Sequence, residues 1–166
     1  MRALVCAALL TLAPTAWAGE EAAARFARLS DHLVPLCVRA AATQCFETAF
    51  AHADTDGDDR LAVAELDALR RDAMAWFFAR REELTATEQT MIALVLAAVN
   101  TAGVERLVAA YDADGDGGLD QGELRADVTL DDRPLPVLVR DGDAVDWAAI
   151  RGRLGAVAGA LLPAPR

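Results

Sequence analysis

The 166-residue chain contains no lysine; arginine carries all its cationic charge, and only two histidines, His32 and His52, are present. Each scarcity excludes something. No run of basic residues forms a patch that could neutralise a phosphate backbone, so no nucleic-acid partner is expected. Two isolated histidines, with no Cys-x-x-Cys and no His-Glu-x-x-His, leave a transition metal without a ligand set. A phosphate-cradling glycine loop and a serine elbow are missing as well, so nucleophilic catalysis has no identifiable constellation and the chain is not expected to be an enzyme. Long apolar runs are also short of a membrane span. The most continuous, Met91 to Val99, is far below the roughly 20 residues needed to cross a bilayer.

Cysteine is sparse too, with Cys6, Cys37 and Cys45. Residues 1–18 read as a secretory leader: Arg2 supplies the positive end, Ala3 to Leu12 the apolar centre, and Ala16-Trp17-Ala18 the small-x-small cleavage site. Cleavage after Ala18 predicts an exported chain, in the periplasm, made of a helical domain over 19–162 and a tail over 163–166. Cys6 leaves with the leader. In an oxidising compartment the remaining pair, Cys37 and Cys45, is expected to bond. On one continuous helix an offset of eight residues separates them by about 12 Å, too far for a disulfide. A bond therefore requires a break between them, for which Pro35 and Thr43, a potential helix cap, are the candidates; two buried thiols are the alternative.

What the chain has in excess is acid, with a net charge of −10, and its placement is uneven. Ten of the 26 acidic residues fall in two twelve-residue stretches, 54–65 and 112–123, and the rest of the chain is nearly neutral. In the second stretch Asp112, Asp114, Asp116, Asp120 and Glu123 stand at positions 1, 3, 5, 9 and 12, with Gly117 at 6 and Leu119 at 8. A hard dication needs that order: side-chain oxygens from 1, 3 and 5, the main-chain carbonyl of position 7 (Gly118), position 9 through water, and a two-oxygen glutamate at 12. Gly117 supplies the positive φ of the sharp turn. The first stretch repeats the pattern with Asp54, Asp56, Asp58, the carbonyl of Arg60, and Glu65, and has Leu61 at position 8. It carries Asp59 at position 6, which tolerates the left-handed region at some cost, and Ala62 at position 9, which offers no oxygen.

Both stretches resemble the calcium loops of the EF-hand family. The resemblance covers roughly residues 44–130 and implies two Ca²⁺ sites, that of 112–123 being the stronger. It also implies a helix on either side of each loop, and Leu61 and Leu119 meeting across a short antiparallel contact. The loops start 58 residues apart, further than in a compact pair of hands, and a helix over 86–99 fits the excess.

Helical spacing fills in the rest. Residues 20–34 read as a helix closed by Pro35, 44–53 as the helix entering the first loop, and 63–83 as the long helix leaving it. Thr85-x-x-Glu88 has capping-box spacing and starts a helix through Met91–Val99; apolar on every side, that helix is expected at the centre of the bundle or under a partner, the centre being favoured. A short exit helix follows Glu123. Pro134 and Pro136 predict an extended segment over 135–139. Residues 138–149 read either as a worn third hand, with Val145 at position 8 and no ion, or as a turn leading into a helix capped by Asp143 or Asp146. The last helix carries Trp147, Ile150, Leu154, Val157 and Leu161 on one stripe. The expected architecture is thus all-α: a pair of hands, an additional helix between them, and helices on both flanks. The function it implies is calcium binding in a structural or partner-binding protein. A sensor or buffer that exposes apolar surface is the alternative, and an enzyme built from scattered carboxylates the remote one.

Overall fold

The computed structural model describes residues 14–140 and 143–160. Most of the expected leader, the tail over 163–166, Leu161, and the turn residues Asp141 and Gly142 lie outside them. Among the described residues the fold is all-helical: α1 (Pro14–Arg39), α2 (Ala42–Ala53), α3 (Val63–Arg80), α4 (Ala86–Ala102), α5 (Val104–Tyr111), α6 (Gln121–Leu124), α7 (Leu135–Leu138) and α8 (Trp147–Gly159). Among the described residues no single helix is long and apolar enough to cross a membrane.

The first helix outruns its expected end. Pro35 lies inside α1, which continues to Arg39, although the proline ring removes one backbone donor there. The turn beyond it is anchored from outside: Cys37 is bonded to Cys45 of α2 with Cα atoms 4.9 Å apart, and α1 also touches α7. The break that makes the disulfide possible falls at Ala40 and Ala41, and Thr43 sits inside α2 instead of capping it. Further up, α1 lies along α3. Arg25 grips Asp72 with Nε at 2.8 Å and Nη2 at 2.7 Å, and the Phe26 and Trp76 rings meet at 5.5 Å between centroids.

The cap at Thr85 forms as its sequence requires. Its hydroxyl accepts the Glu88 amide, and the Glu88 carboxylate takes the Thr85 amide at 2.8 Å and hydroxyl at 2.7 Å, so donors that the first turn of α4 would leave unpaired are satisfied. The placement of α4 departs from expectation. It is not central: Met91 and Val95 are 52% and 54% exposed, and Leu94 is open as well. The helix touches α3, α5 and α8, and its two buried residues are the alanines Ala98 and Ala102, near its C-terminal end. At Gly103, φ +82°, the chain turns by 79° into α5, a backbone geometry that glycine adopts without strain.

Two proline-rich expectations also change. Residues 135–138 are helical, not extended. Pro134 takes the extended cap conformation and Pro136 falls in the first turn, where a missing N–H costs nothing. Leu138, 1% exposed, packs with Ala42 and Ala144. In the segment after it, Asp146 is the residue that caps α8, accepting the amides of Ala148 and Ala149 at 3.1 and 2.9 Å. Val145 does make an antiparallel bridge, but its partner is Val128. The expected continuous stripe of α8 is interrupted at Gly155, whose φ of +80° is not helical.

A polar latch ties α5 to α8. Asp127, 8% exposed, accepts the Tyr111 hydroxyl at 2.8 Å and Arg153 Nε at 3.0 Å. The same guanidinium lies 4.9 Å from the Tyr111 ring centre, and its Nη1 donates to the Ala110 carbonyl. Burial, then the bond to Asp127, pushes the Tyr111 phenol well above its ordinary pKa, so it stays protonated and donates to the carboxylate. Tyr111→Phe is expected to cost about 1–2 kcal/mol in denaturant unfolding, because a buried carboxylate loses one of its donors. An unchanged midpoint would show that the latch carries no stability.

Candidate metal centre

Each acidic stretch hangs between two helices, 54–65 between α2 and α3 and 112–123 between α5 and α6. The entering helices are held by their apolar faces: Phe50 of α2 and Val104 and Val108 of α5 are buried. Both helices end alike. Asp54 and Asp112 are the C-caps, and their amides donate to the carbonyls of Phe50 and Val108.

From there the two chains curl round their first aspartate in the same way. Asp54 Oδ1 accepts the amides of Gly57 and Asp58 at 2.8 and 3.2 Å, and Oδ2 that of Asp59 at 3.0 Å. Asp112 Oδ1 accepts those of Gly115 and Asp116 at 2.7 and 3.2 Å, and Oδ2 that of Gly117 at 3.0 Å. The sixth position is left-handed in both: Asp59 at φ +64°, Gly117 at φ +89°. Aspartate therefore does make the turn that glycine makes in the other loop.

At the far end each glutamate folds back over its loop. Glu65 accepts the Thr55 amide (2.6 Å) and hydroxyl (2.8 Å) on one oxygen and the Ala62 amide (3.0 Å) on the other. Glu123 accepts the amides of Ala113 (2.6 Å) and Asp120 (3.0 Å). Asp120 in return accepts the Glu123 amide at 2.8 Å, capping α6. Between the loops, Leu61 and Leu119 exchange two backbone hydrogen bonds, 2.9 Å from the Leu61 amide and 3.1 Å from the Leu119 amide. Both side chains are buried there, Leu61 at 4% and Leu119 at 0% exposure.

The carboxylates converge, but not identically. In the first loop Asp54, Asp56 and Asp58 bring one oxygen each within 4.8 Å of one another, and in the second Asp112, Asp114 and Glu123 do so; either group could hold a metal ion. Asp116 points elsewhere: its Oδ2 lies 2.7 Å from Arg60 Nη1. Arg60 and Gly118, assigned as carbonyl donors, approach each other closely, since a Cβ on Gly118 would lie 3.1 Å from that of Arg60. The donors in both groups are hard oxygens at solvent-accessible positions, a set suited to Ca²⁺ or Mg²⁺ and not to a softer metal.

Mutual repulsion shows in the titration of the third positions. Asp56 is raised above the usual aspartate range, first by the charge of Asp58, then by desolvation and Glu65. At Asp114 the Asp116 amide acts to lower the pKa, but desolvation and the charges of Asp116, Glu123 and Asp112 outweigh it and leave the group raised. Desolvation would also raise Asp112, yet the amides of Gly117, Gly115 and Asp116 together hold it below its ordinary value. Glu65 behaves likewise: the bonds from Thr55 and Ala62 overcome desolvation.

Sequence reasoning missed two participants, the Thr55 hydroxyl and the Arg60 side chain. Arg60 had a signal: it is the single cation in either loop. Compared with family models, with curated proteins and with solved structures, the chain matches none.

Proposed function

We propose that this is an exported calcium-binding protein of EF-hand type. Asp54, Asp56, Asp58, the Arg60 carbonyl and Glu65 would hold one Ca²⁺, and Asp112, Asp114, Asp116, the Gly118 carbonyl, Asp120 and Glu123 the other. The observation that carries this reading is the pair of converging carboxylate groups joined through the reciprocal Leu61–Leu119 hydrogen bonds. A dication offsets the repulsion within each group and fixes the helices at either end of the loop. The part played by the protein is preorganisation: backbone amides hold the carboxylates of Asp54 and Asp112 in place before any ion arrives.

The role is structural or partner-binding. Outside the cytosol calcium is often near millimolar, and at about 100 times its dissociation constant an ion adds about 2.7 kcal/mol to the fold, which makes it a permanent brace. Met91, Val95 and Phe78 are already open to solvent, which favours an apolar surface displayed at all times over one uncovered by the ion. A dye for exposed apolar surface is then expected to fluoresce equally with and without calcium; brightening on addition would support the sensor reading instead. Calorimetric calcium titration of residues 19–166, with magnesium as competitor, tests the assignment. Two ions per chain are expected, and no heat at millimolar calcium would refute it.

A further inference from the structure

Arg60 sends its side chain out of its own loop and into the other. Its Nη1 is 2.7 Å from Asp116 Oδ2, while the second oxygen of Asp116 accepts the Gly118 amide at 2.9 Å. Both oxygens of the fifth residue of the second loop are thereby engaged, and Asp116 stands outside the converging group of Asp112, Asp114 and Glu123. The fifth residue of the first loop, Asp58, stands inside its group. The two positions are equivalent in sequence and each accepts the amide two residues on; Asp116 has in addition the guanidinium of Arg60. Glycine at 118 makes the approach possible, because a Cβ there would come within 3.1 Å of Arg60 Cβ and 3.5 Å of its Cδ.

We infer that Arg60 is a tethered counter-cation for the second loop, competing with a divalent ion for Asp116, so that the first loop sets the affinity of the second. This rests on the calcium reading above. An ion entering 112–123 must take Asp116 from the guanidinium or share it, and a dication and a guanidinium on one carboxylate repel each other. The same residue is assigned to the first site through its carbonyl, so a single side chain and its own main chain face both ions. The second loop, with glycine at the turn in position 6 and a carboxylate at position 9, is held below the affinity its pattern would allow.

The test is calcium titration in a Glu65→Gln background, which silences the first loop, of four chains: no further change, Arg60→Met, Asp116→Asn, and both together. The Arg60 and Asp116 side chains are 47% and 22% exposed, so the gain is modest: Arg60→Met is expected to tighten binding by about two- to five-fold, the range of exposed ion pairs. With Asp116→Asn present, Arg60→Met should change nothing. Equal affinity with and without Arg60, or the same gain in the Asp116→Asn chain, overturns the inference and leaves the calcium reading standing. Binding by none of the chains, nor by the one with Glu65 restored, overturns both. A second readout needs no ion: in chelator, the effects of the two single variants on the unfolding midpoint should not add in the double, the second substitution costing less once the first has removed the pair. Strictly additive midpoints also overturn the inference.

Discussion

Millimolar calcium is expected to raise the thermal midpoint of the chain, and Glu123→Gln to abolish the second loop's share of that rise. An ion at about 100 times its dissociation constant contributes about 2.7 kcal/mol, which for a domain of this size moves the midpoint by about 5–10 °C per site. Glu123 is the substitution with the greatest leverage because it does two things. Its oxygens hold the amides of Ala113 and Asp120 across the loop, and it belongs to the converging group with Asp112 and Asp114. Glutamine keeps the volume and one acceptor, but turns an NH₂ towards a backbone donor, so the chelated variant also loses some stability. The informative quantity is therefore the calcium-dependent increment in scanning calorimetry, not the absolute midpoint. An increment equal to that of the parent would remove Glu123 from the site.

The second large effect lies where no oxygen is involved. Leu119 is fully buried and bonds back to Leu61 through both backbone groups. Leu119→Ala is expected to cost about 3–4 kcal/mol in denaturant unfolding, within the range for truncating a wholly enclosed leucine. Backbone pairing survives truncation in principle, but the apolar contact that excludes water from it does not. Because Leu119 packs at the junction of the loops, calcium affinity should fall in both, including the first, which the substitution does not touch. A loss confined to 112–123 would mean that the loops act independently.

Much of the candidate site could be read in advance because its demands are positional. Carboxylates at fixed offsets, the left-handed sixth residue and the apolar eighth residue each answer to a local requirement, and Asp59 at φ +64° met it as expected for aspartate. The capping box at Thr85 is local in the same sense. What could not be read was decided by distant partners. Pro35 should end a helix by its own chemistry, yet α1 passes through it where a covalent bond to α2 holds the next turn. Apolar periodicity told that α4 has something to bury on every side, but not that burial would be complete only at Ala98 and Ala102 and leave Met91 and Val95 in solvent. Asp116 matched its pattern in full and is nonetheless turned to an arginine from 56 residues earlier.

The two loops are approached by helices of unequal freedom. Leading into the first, α2 is fastened at its start by the Cys37–Cys45 bond. Leading into the second, α5 begins at Gly103 without a covalent fastening and is held at its far end by the Tyr111–Asp127–Arg153 latch to α8. Any pull on Asp112 is thus felt first at Tyr111, its neighbour in the chain, and through Asp127 at α8.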